Sequence, residues 1–203
     1  MTGLPPHSVM PAPPKQPHKI NTSAKLRVLR AARALRGGGL LAHNTSTLPG
    51  IAASPDSKAA IKRMCRFKQR NGPFLLLVDS TRTAMKICRR LSPELRHAVK
   101  QCWPGHTTLI FSARPGLPIA CYERGMVAVR VDASDEVRRL AKACGGLIVS
   151  SSLNRKGRPL NQPSRSLRMR WQRHLHACDP TGSPSGKPSA LLRLSGRHMQ
   201  KLR

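Results

Sequence analysis

Residues 74–78 (Phe-Leu-Leu-Leu-Val) form an unbroken apolar run, and this run limits what the chain can fold into. It is too short for a buried helix and well below the roughly 20 residues of a membrane span. No polar residue alternates with the apolar ones, so the run predicts a central strand that is buried on both faces of a sheet. Because helices must then cover both faces, the run favours an α/β architecture.

Short apolar runs alternate with helical patterns along the rest of the chain. Further strands are predicted at residues 40–42, 107–111, 126–131, 147–149 and 191–194, and helices at residues 23–36, 55–68, 83–90, 92–100, 135–144 and 167–178. Many of the connections are rich in turn residues, which indicates a mixed sheet and not a purely parallel one. The predicted fold class is α/β, a twisted mixed sheet with flanking helices.

Composition divides the chain into three predicted segments. Residues 1–22 contain repeated prolines, which remove backbone donors and exclude helix, so we expect a disordered proline-rich arm. Residues 23–190 are expected to form one domain, and residues 191–203 a basic C-terminal tail. Aromatic residues make up only 3% of the chain, so the core must consist of Leu, Ile, Val and Ala.

The charge balance is the most unusual property of the composition. The chain has 37 Lys and Arg residues against 8 Asp and Glu residues, a formal net charge of +29. Such an excess repels itself in a compact state, and its usual partner is a polyanion. We therefore expect contact with RNA; the alternative is a basic chain without a dedicated nucleic-acid site.

The cysteines and the hydropathy pattern indicate a cytoplasmic protein. The six cysteines are scattered and form no Cys-x-x-Cys pair, as expected of free thiols in a reducing compartment. No apolar run is long enough for a membrane span, and the N-terminus lacks the apolar core of a secretory signal. His174, His176 and Cys178 are poor candidates for a metal site, because alternate positions diverge around a helix.

Polar residues follow the predicted strand 147–149. Ser150, Ser151, Ser152 and Asn154 would present hydrogen-bonding groups at its carboxyl end, next to the basic pair Arg155-Lys156. The carboxyl ends of strands in α/β sheets are common ligand sites, and donors beside cations suit an anion. The alternative is an ordinary polar turn.

Three other residues are candidates for special roles. Lys68 and Arg70 lie at a predicted helix C-terminus, where they would bind an anion or simply complement the helix dipole. Arg130 lies within an apolar strand, and a buried guanidinium needs an anion from the protein or from a ligand. Trp103, by contrast, is expected to anchor the core or a turn.

Taken in order, the motifs resemble those of a known family. The best stretches are residues 50–70, which end in Lys68-Gln69-Arg70, then Cys102-Trp103-Pro104-Gly105, Ala128-Val129-Arg130-Val131 and Ser150-Ser151-Ser152-Leu153-Asn154. The set resembles the YrdC-type (TsaC-like) family of threonylcarbamoyl-AMP synthases, and the likeness runs from about residue 35 to residue 189.

The resemblance implies a YrdC-like fold with a concave basic cavity, and an enzyme that transfers a nucleotidyl group. The implied substrates are L-threonine, bicarbonate or CO2, and ATP; the products are threonylcarbamoyl-adenylate and pyrophosphate, for the t6A modification of tRNA. Mg²⁺ is implied with ATP, held by phosphates and water, and t6A-transfer proteins are possible partners.

The resemblance also assigns roles to residues. Lys68 and Arg70 would be the catalytic cations and would bind ATP. The remaining ATP-binding residues would be Ser150, Ser152, Asn154 and Ser189. Thr45 and Arg130 would bind threonine.

One loop departs from the family pattern. His43, Asn44 and Ser46 stand where the family has tyrosine, proline and glutamate, and Thr45 and Thr47 remain. The alternative function is a non-catalytic relative that binds RNA, either tRNA or a ribosomal RNA precursor. A third possibility is a drifted sequence that folds poorly.

Overall fold

A computed structural model describes residues 22–153, 177–179, 184–195 and 198–203. Its helices are α1 (Thr22–Arg36), α2 (Lys58–Lys68), α3 (Thr81–Ile87), α4 (Pro93–Cys102) and α5 (Asp135–Ala143), with a 3-10 turn at Ile119–Cys121. The strands are β1 (Leu41–Asn44), β2 (Pro49–Ala53), β3 (Leu75–Val78), β4 (Thr107–Ser112), β5 (Tyr122–Glu123), β6 (Met126–Val131), β7 (Leu147–Ser152), β8 (Ala177–Asp179), β9 (Ala190–Ser195) and β10 (His198–Lys201).

The strands form one ten-stranded mixed sheet, which confirms the predicted fold class. Its order is β10-β9-β4-β6-β3-β7-β2-β1-β8, and β5 pairs with β6. The predicted central strand is β3, which lies between β6 in parallel and β7 in antiparallel orientation. Leu76, Leu77 and Val78 are fully buried there, so helices do cover both faces of this strand.

Each face of the sheet has its own apolar core. On one face, α2, α3 and α4 pack their apolar positions against residues such as Phe74, Phe111 and Val129. On the other face, α1 and α5 cover Leu77 and Ile148. Alternate residues of a strand point to opposite faces, so neighbouring residues of β3 serve the two cores in turn.

Two predicted loops are shorter than expected. Residues 150–152 belong to β7, because Gly50, Ile51 and Ala52 of β2 pair with them and satisfy their backbone. Between the predicted strand 40–42 and the predicted helix 55–68, His43 and Asn44 pair with Gly50 and Pro49 in the β1–β2 hairpin, and only residues 45–48 form a turn. Strand β2 was missed because Pro49 and Gly50 suggest a turn when no pairing partner is known.

Two strands of the sheet, β9 and β10, lie in the segment 191–203 that the sequence predicts as a tail. Strand β9 pairs in parallel with β4, and β10 pairs with β9. Leu192, Leu194 and Met199 pack against the core, which explains why this segment stays with the domain. Residues 1–21 of the predicted arm lie outside the described residues, as does the predicted helix 167–178 apart from β8.

Other expectations concern the membrane and the thiols. Within the described part of the chain, no helix has the length and apolar content that crossing a membrane requires. Cys65, Cys88, Cys102, Cys121 and Cys144 are free. Burial raises the pKa of Cys121 to about 12 and that of Cys144 to about 11, so both remain protonated, unreactive core residues at neutral pH.

Candidate active site

The C-terminal end of α2 determines where Lys68 and Arg70 lie. The side chain of Ser57 caps the start of this helix by accepting from the N–H of Ala60, and Lys68 is its last residue. Gln69 then adopts a left-handed conformation, with φ of 52°, which ends the helix and turns the chain towards Arg70. The end of α2 therefore carries two cations, one on each side of Gln69.

Lys68 points into the protein. Its side chain is only 5% exposed, and Nζ donates to the carbonyl oxygen of Ser152 at 2.6 Å. Burial, and to a lesser extent the charge of Arg70, lowers the pKa of Lys68 to about 8. This lysine is thus directed at the end of β7, and it loses its proton as the pH rises through about 8.

Arg70 approaches the same end of β7. Its guanidinium donates to Oγ of Ser151 at 3.2 Å and lies over the ring of Phe74, 5.1 Å from the centroid. Burial lowers its pKa. Both partners of this cation are neutral, so an anion placed between Lys68 and Arg70 would gain from two partly desolvated positive charges.

Arg130 has an anion of its own in the protein. Its guanidinium contacts Oδ2 of Asp132 at 3.0 Å, and both side chains are almost completely buried. Burial lowers the pKa of Arg130, and the negative charge of Asp132 opposes that shift. Oδ1 of Asp132 accepts from the backbone N–H groups of Ser46 and Ser134, at 3.0 and 2.9 Å.

The sequence indicated that Arg130 needs an anion but did not identify Asp132. The sequence did contain a signal for this pair, because Asp132 lies two residues after Arg130 at the end of the same strand. Arg130 also donates to Oγ1 of Thr47 at 2.8 Å, while no group in the described chain accepts from its Nε. The Nε–H is therefore a buried donor of this guanidinium without an acceptor among the described residues.

The turn at residues 45–48 is organised by its own threonines. Oγ1 of Thr45 donates to the carbonyl of Leu48 at 2.8 Å and accepts from the N–H groups of Thr47 and Leu48. Strands β3 and β7 lie between β2 and β6 in the sheet, so the contact between Thr47 and Arg130 spans both. The turn must therefore fold over one face of the sheet, where it forms a wall beside Arg130.

Ser150 lies in a different environment from Ser151 and Ser152. Its Oγ is 3.1 Å from Nε2 of His43, and both residues are buried. A Cβ atom at Gly50 would lie 3.0 Å from the same Nε2 and 3.3 Å from Oγ of Ser150. Glycine at position 50 thus leaves room for the histidine, and Ser150 serves as its partner.

Ser189 follows a short segment that contacts the turn at residues 45–48. Thr108 donates to Oγ of Ser189 at 3.0 Å, and both are buried. Just before it, the N–H groups of Ser185 and Gly186 donate to the carbonyls of Ser46 and Thr47, at 3.1 and 3.0 Å. The segment therefore ties β9 to the turn that holds Thr45.

The structure thus brings the predicted residues together in two groups. Lys68, Arg70 and Ser152 meet at the end of β7, whereas Thr45 lies in the turn whose Thr47 contacts Arg130. The β1–β2 hairpin joins the groups, because Gly50 pairs with Ser152. Asn154 lies outside the described residues.

Comparison with known proteins identifies the family. The family model Sua5/YciO/YrdC, described as "Telomere recombination", matches residues 33–203. The chain belongs to this family. Among curated Sua5/YciO/YrdC relatives, a threonylcarbamoyl-AMP synthase from Nitrosococcus oceani is 34% identical over 182 residues, which cover 87% of this chain and 97% of the relative.

Solved structures of Sua5/YciO/YrdC proteins share the fold. E. coli YciO superimposes with a TM-score of 0.79 at 20% identity, and the match covers 90% of each chain. P. abyssi Sua5 complexed with L-threonine superimposes with a TM-score of 0.79 at 22% identity over 88% of this chain. This chain spans 54% of that protein, about half its length.

Proposed function

We propose that this chain is a threonylcarbamoyl-AMP synthase. It combines L-threonine, bicarbonate or CO2, and ATP into threonylcarbamoyl-adenylate and releases pyrophosphate, as a step towards the t6A modification of tRNA. The convergence of Lys68 and Arg70 at the end of β7 carries this proposal, together with the identity to curated synthases over nearly their whole length. The non-catalytic alternative is not favoured, because those relatives are named as enzymes.

The two cations suit the chemistry of attack on the α-phosphorus. Negative charge shifts onto the leaving pyrophosphate as the new phosphorus–oxygen bond forms, and positioned cations stabilise that charge. Lys68 and Arg70 are fixed by contacts with Ser152 and Ser151, so little reorganisation is needed when the phosphates bind. We assign Ser152, Ser189 and Asn154 to ATP binding. We also assign Ser150, whose hydroxyl contacts His43.

Threonine is assigned to the turn and to Arg130. Because Asp132 already neutralises much of Arg130, we assign only the Nε–H edge to the carboxylate of threonine. Thr45 shapes the turn beside it.

Mg²⁺ would be bound through ATP. In the described chain no group of three His, Cys, Asp or Glu side chains is placed to hold a metal ion. The nearest carboxylate to the turn, Asp132, is occupied by Arg130 and two backbone N–H groups. These residues do not fit a protein-held metal site, so Mg²⁺ would be coordinated by phosphates and water.

We further assign the reaction to the cytoplasm, with tRNA or another RNA bound through basic surface and t6A-transfer proteins as recipients of the adenylate. The basis is the net charge of +29 and the free thiols in the described chain.

The direct test is pyrophosphate release from ATP and bicarbonate by the purified chain, with and without L-threonine. We expect release that depends on threonine, because the proposed nucleophile is the carbamate formed from threonine and bicarbonate. Serine and alanine at equal concentration serve as controls for the amino acid. A folded chain that releases no pyrophosphate with threonine would contradict the proposal.

The site assignment has its own test. Lys68→Ala and Arg70→Ala should each lower turnover by about two orders of magnitude or more, because each removes a cation from the phosphates. Lys62→Ala is the matched control, since Lys62 lies on the exposed face of the same helix. Turnover of Lys68→Ala equal to that of the control would remove this lysine from the site.

A further inference from the structure

Helix α2 carries a stripe of cations on its outer face. Lys58, Lys62 and Arg66 recur at every fourth position and are all exposed, while Ala60, Ile61 and Met64 face the core. Residues four apart are neighbours on a helix surface, about 6 Å apart along the axis. The three side chains therefore form one continuous basic row.

The two helices packed on the same face of the sheet repeat the pattern. Exposed cations lie four residues apart in α3, at Arg82 and Lys86, and in α4, at Arg96 and Lys100. Apolar residues of all three helices enter one core, so the helices form a single layer. We call this set of seven cations on α2, α3 and α4 the basic layer.

The basic layer has no internal compensation. None of its cations forms an ion pair within the described residues, and like charges four residues apart destabilise a helix. On the opposite face of the sheet the acids of α5 do pair, Asp135 with Arg138 and Arg139, and Glu136 with Arg27 of α1. The unpaired positive charge of the basic layer therefore favours contact with an external anion.

The basic layer also lacks apolar anchors. The large hydrophobic side chains that are exposed in the described chain are Leu26, Leu29, Ile119 and Leu202, and all lie outside α2, α3 and α4. Protein interfaces rely on buried aromatic or aliphatic anchors, and membrane-surface helices insert apolar residues. A phosphate backbone, in contrast, is bound by cations alone.

We propose that the basic layer is a docking surface for RNA, which it contacts through the phosphate backbone. The surface lies on the opposite face of the sheet from Arg130, whose register partner Leu77 faces the core beneath α1 and α5. Helix α2 connects this surface with the candidate active site, because its exposed stripe ends at Arg66, two residues before Lys68. The proposal does not depend on the synthase reaction, since it concerns binding alone.

The experiment compares two triple variants that lose the same charge. Lys58→Gln/Lys62→Gln/Arg66→Gln removes the stripe on α2. Lys25→Gln/Arg30→Gln/Arg33→Gln removes three exposed cations from α1, on the opposite face of the sheet. Binding of a purified tRNA mixture is measured across a range of KCl concentrations, without ATP or threonine, and the thermal unfolding of each variant confirms that it is folded.

The α2 variant should bind tRNA about tenfold more weakly or worse at about 100 mM KCl, and the slope of log K against log salt should fall by about 2 to 3. The α1 variant should change affinity less than about threefold. Both variants should retain threonine-dependent pyrophosphate release.

Three results would overturn the proposal. Equal losses of tRNA affinity in the two variants would mean that only the net charge matters. Unchanged affinity in both would mean that RNA binds elsewhere on the protein. Tighter binding of the unmodified chain to phosphatidylserine vesicles or polyglutamate than to tRNA, lost in the α2 variant, would assign the layer to a membrane or an acidic protein.

Discussion

At the scale of single residues, Lys68 shows how burial changes the chemistry of a common side chain. A lysine at the end of a helix is ordinarily solvated and complements the helix dipole. Lys68 is instead buried against Ser152, and its pKa falls to about 8. Its charge, which the phosphates require, thus depends on pH within the working range of an enzyme.

The first prediction concerns this pH dependence. A folded-state pKa of about 8 means that Lys68 loses its proton as the pH rises, so kcat/KM for ATP should fall above about pH 8. The pH profile of the initial rate measures this limb. Lys68→Arg keeps the charge and should move the limb upward; a limb that stays in place in this variant would assign it to another group.

The ion pair of Arg130 and Asp132 is a second case in which burial determines the energetic effect of a charge. A buried ion pair that loses one partner leaves an uncompensated charge in the interior. We expect Asp132→Asn to lower the free energy of unfolding by about 3 to 5 kcal/mol, because Arg130 stays buried and charged. Urea denaturation measures this change.

The matched control is the same substitution at the surface. The side chain of Asp135 is 58% exposed and pairs with Arg138 and Arg139. Asp135→Asn should cost only about 1 kcal/mol, because solvent screens these pairs. Equal costs at the two positions would mean that the pair of Arg130 and Asp132 is not desolvated as described.

At the scale of elements, the connection between α2 and β3 determines where Arg70 lies. The link between α2 and β3 passes Gly72, whose φ is +120°, and a Cβ atom there would lie 2.3 Å from the carbonyl oxygen of Ala120. Phe74, two residues later, donates its N–H to the same carbonyl at 2.8 Å. This close packing holds the segment that carries Arg70 and Phe74.

The prediction at this scale compares two glycines. Gly116 has a similar φ of +113° but nothing within 4 Å of an added Cβ. Gly116→Ala should cost about 1 to 3 kcal/mol from backbone strain alone. Gly72→Ala should cost about 2 kcal/mol more, because the added atom meets backbone. Equal shifts of the unfolding midpoint would show that the chain relaxes around Ala120 freely.

At the scale of the whole molecule, the charge of +29 acts on the fold as well as on partners. Repulsion among surface cations destabilises the compact state, and salt screens it. We expect the free energy of unfolding to rise between about 50 and 500 mM KCl, where the Debye length falls well below 10 Å. Guanidinium is itself a salt, so urea is the denaturant to use.

A contrary result has a clear meaning. If stability fell as KCl rose, attractive surface ion pairs such as the one between Arg27 and Glu136 would outweigh the repulsion. That outcome would also weaken the argument that the basic layer needs an external anion.

Local pattern was sufficient for much of this protein. The apolar run at residues 74–78, the helical patterns and the ordered motifs around Lys68, Trp103 and Arg130 predicted a mixed α/β sheet and the family. These features depend on propensity, periodicity and spacing, which act between near neighbours in the chain. Strands β2, β5, β8 and β10 were missed, since short or glycine-rich strands form only when a partner strand is present.

Tertiary structure alone decided what the site residues contact. The sequence placed Asp132 two residues after Arg130, but only the folding of the turn over the sheet brings Thr47 to Arg130 and Ser46 to Asp132. In the same way, the serines after residue 149 became strand residues because β2 pairs with them, and Lys68 acquired its low pKa because α2 ends against β7. Burial and desolvation arise from residues that are distant in the chain, so no local pattern reveals them.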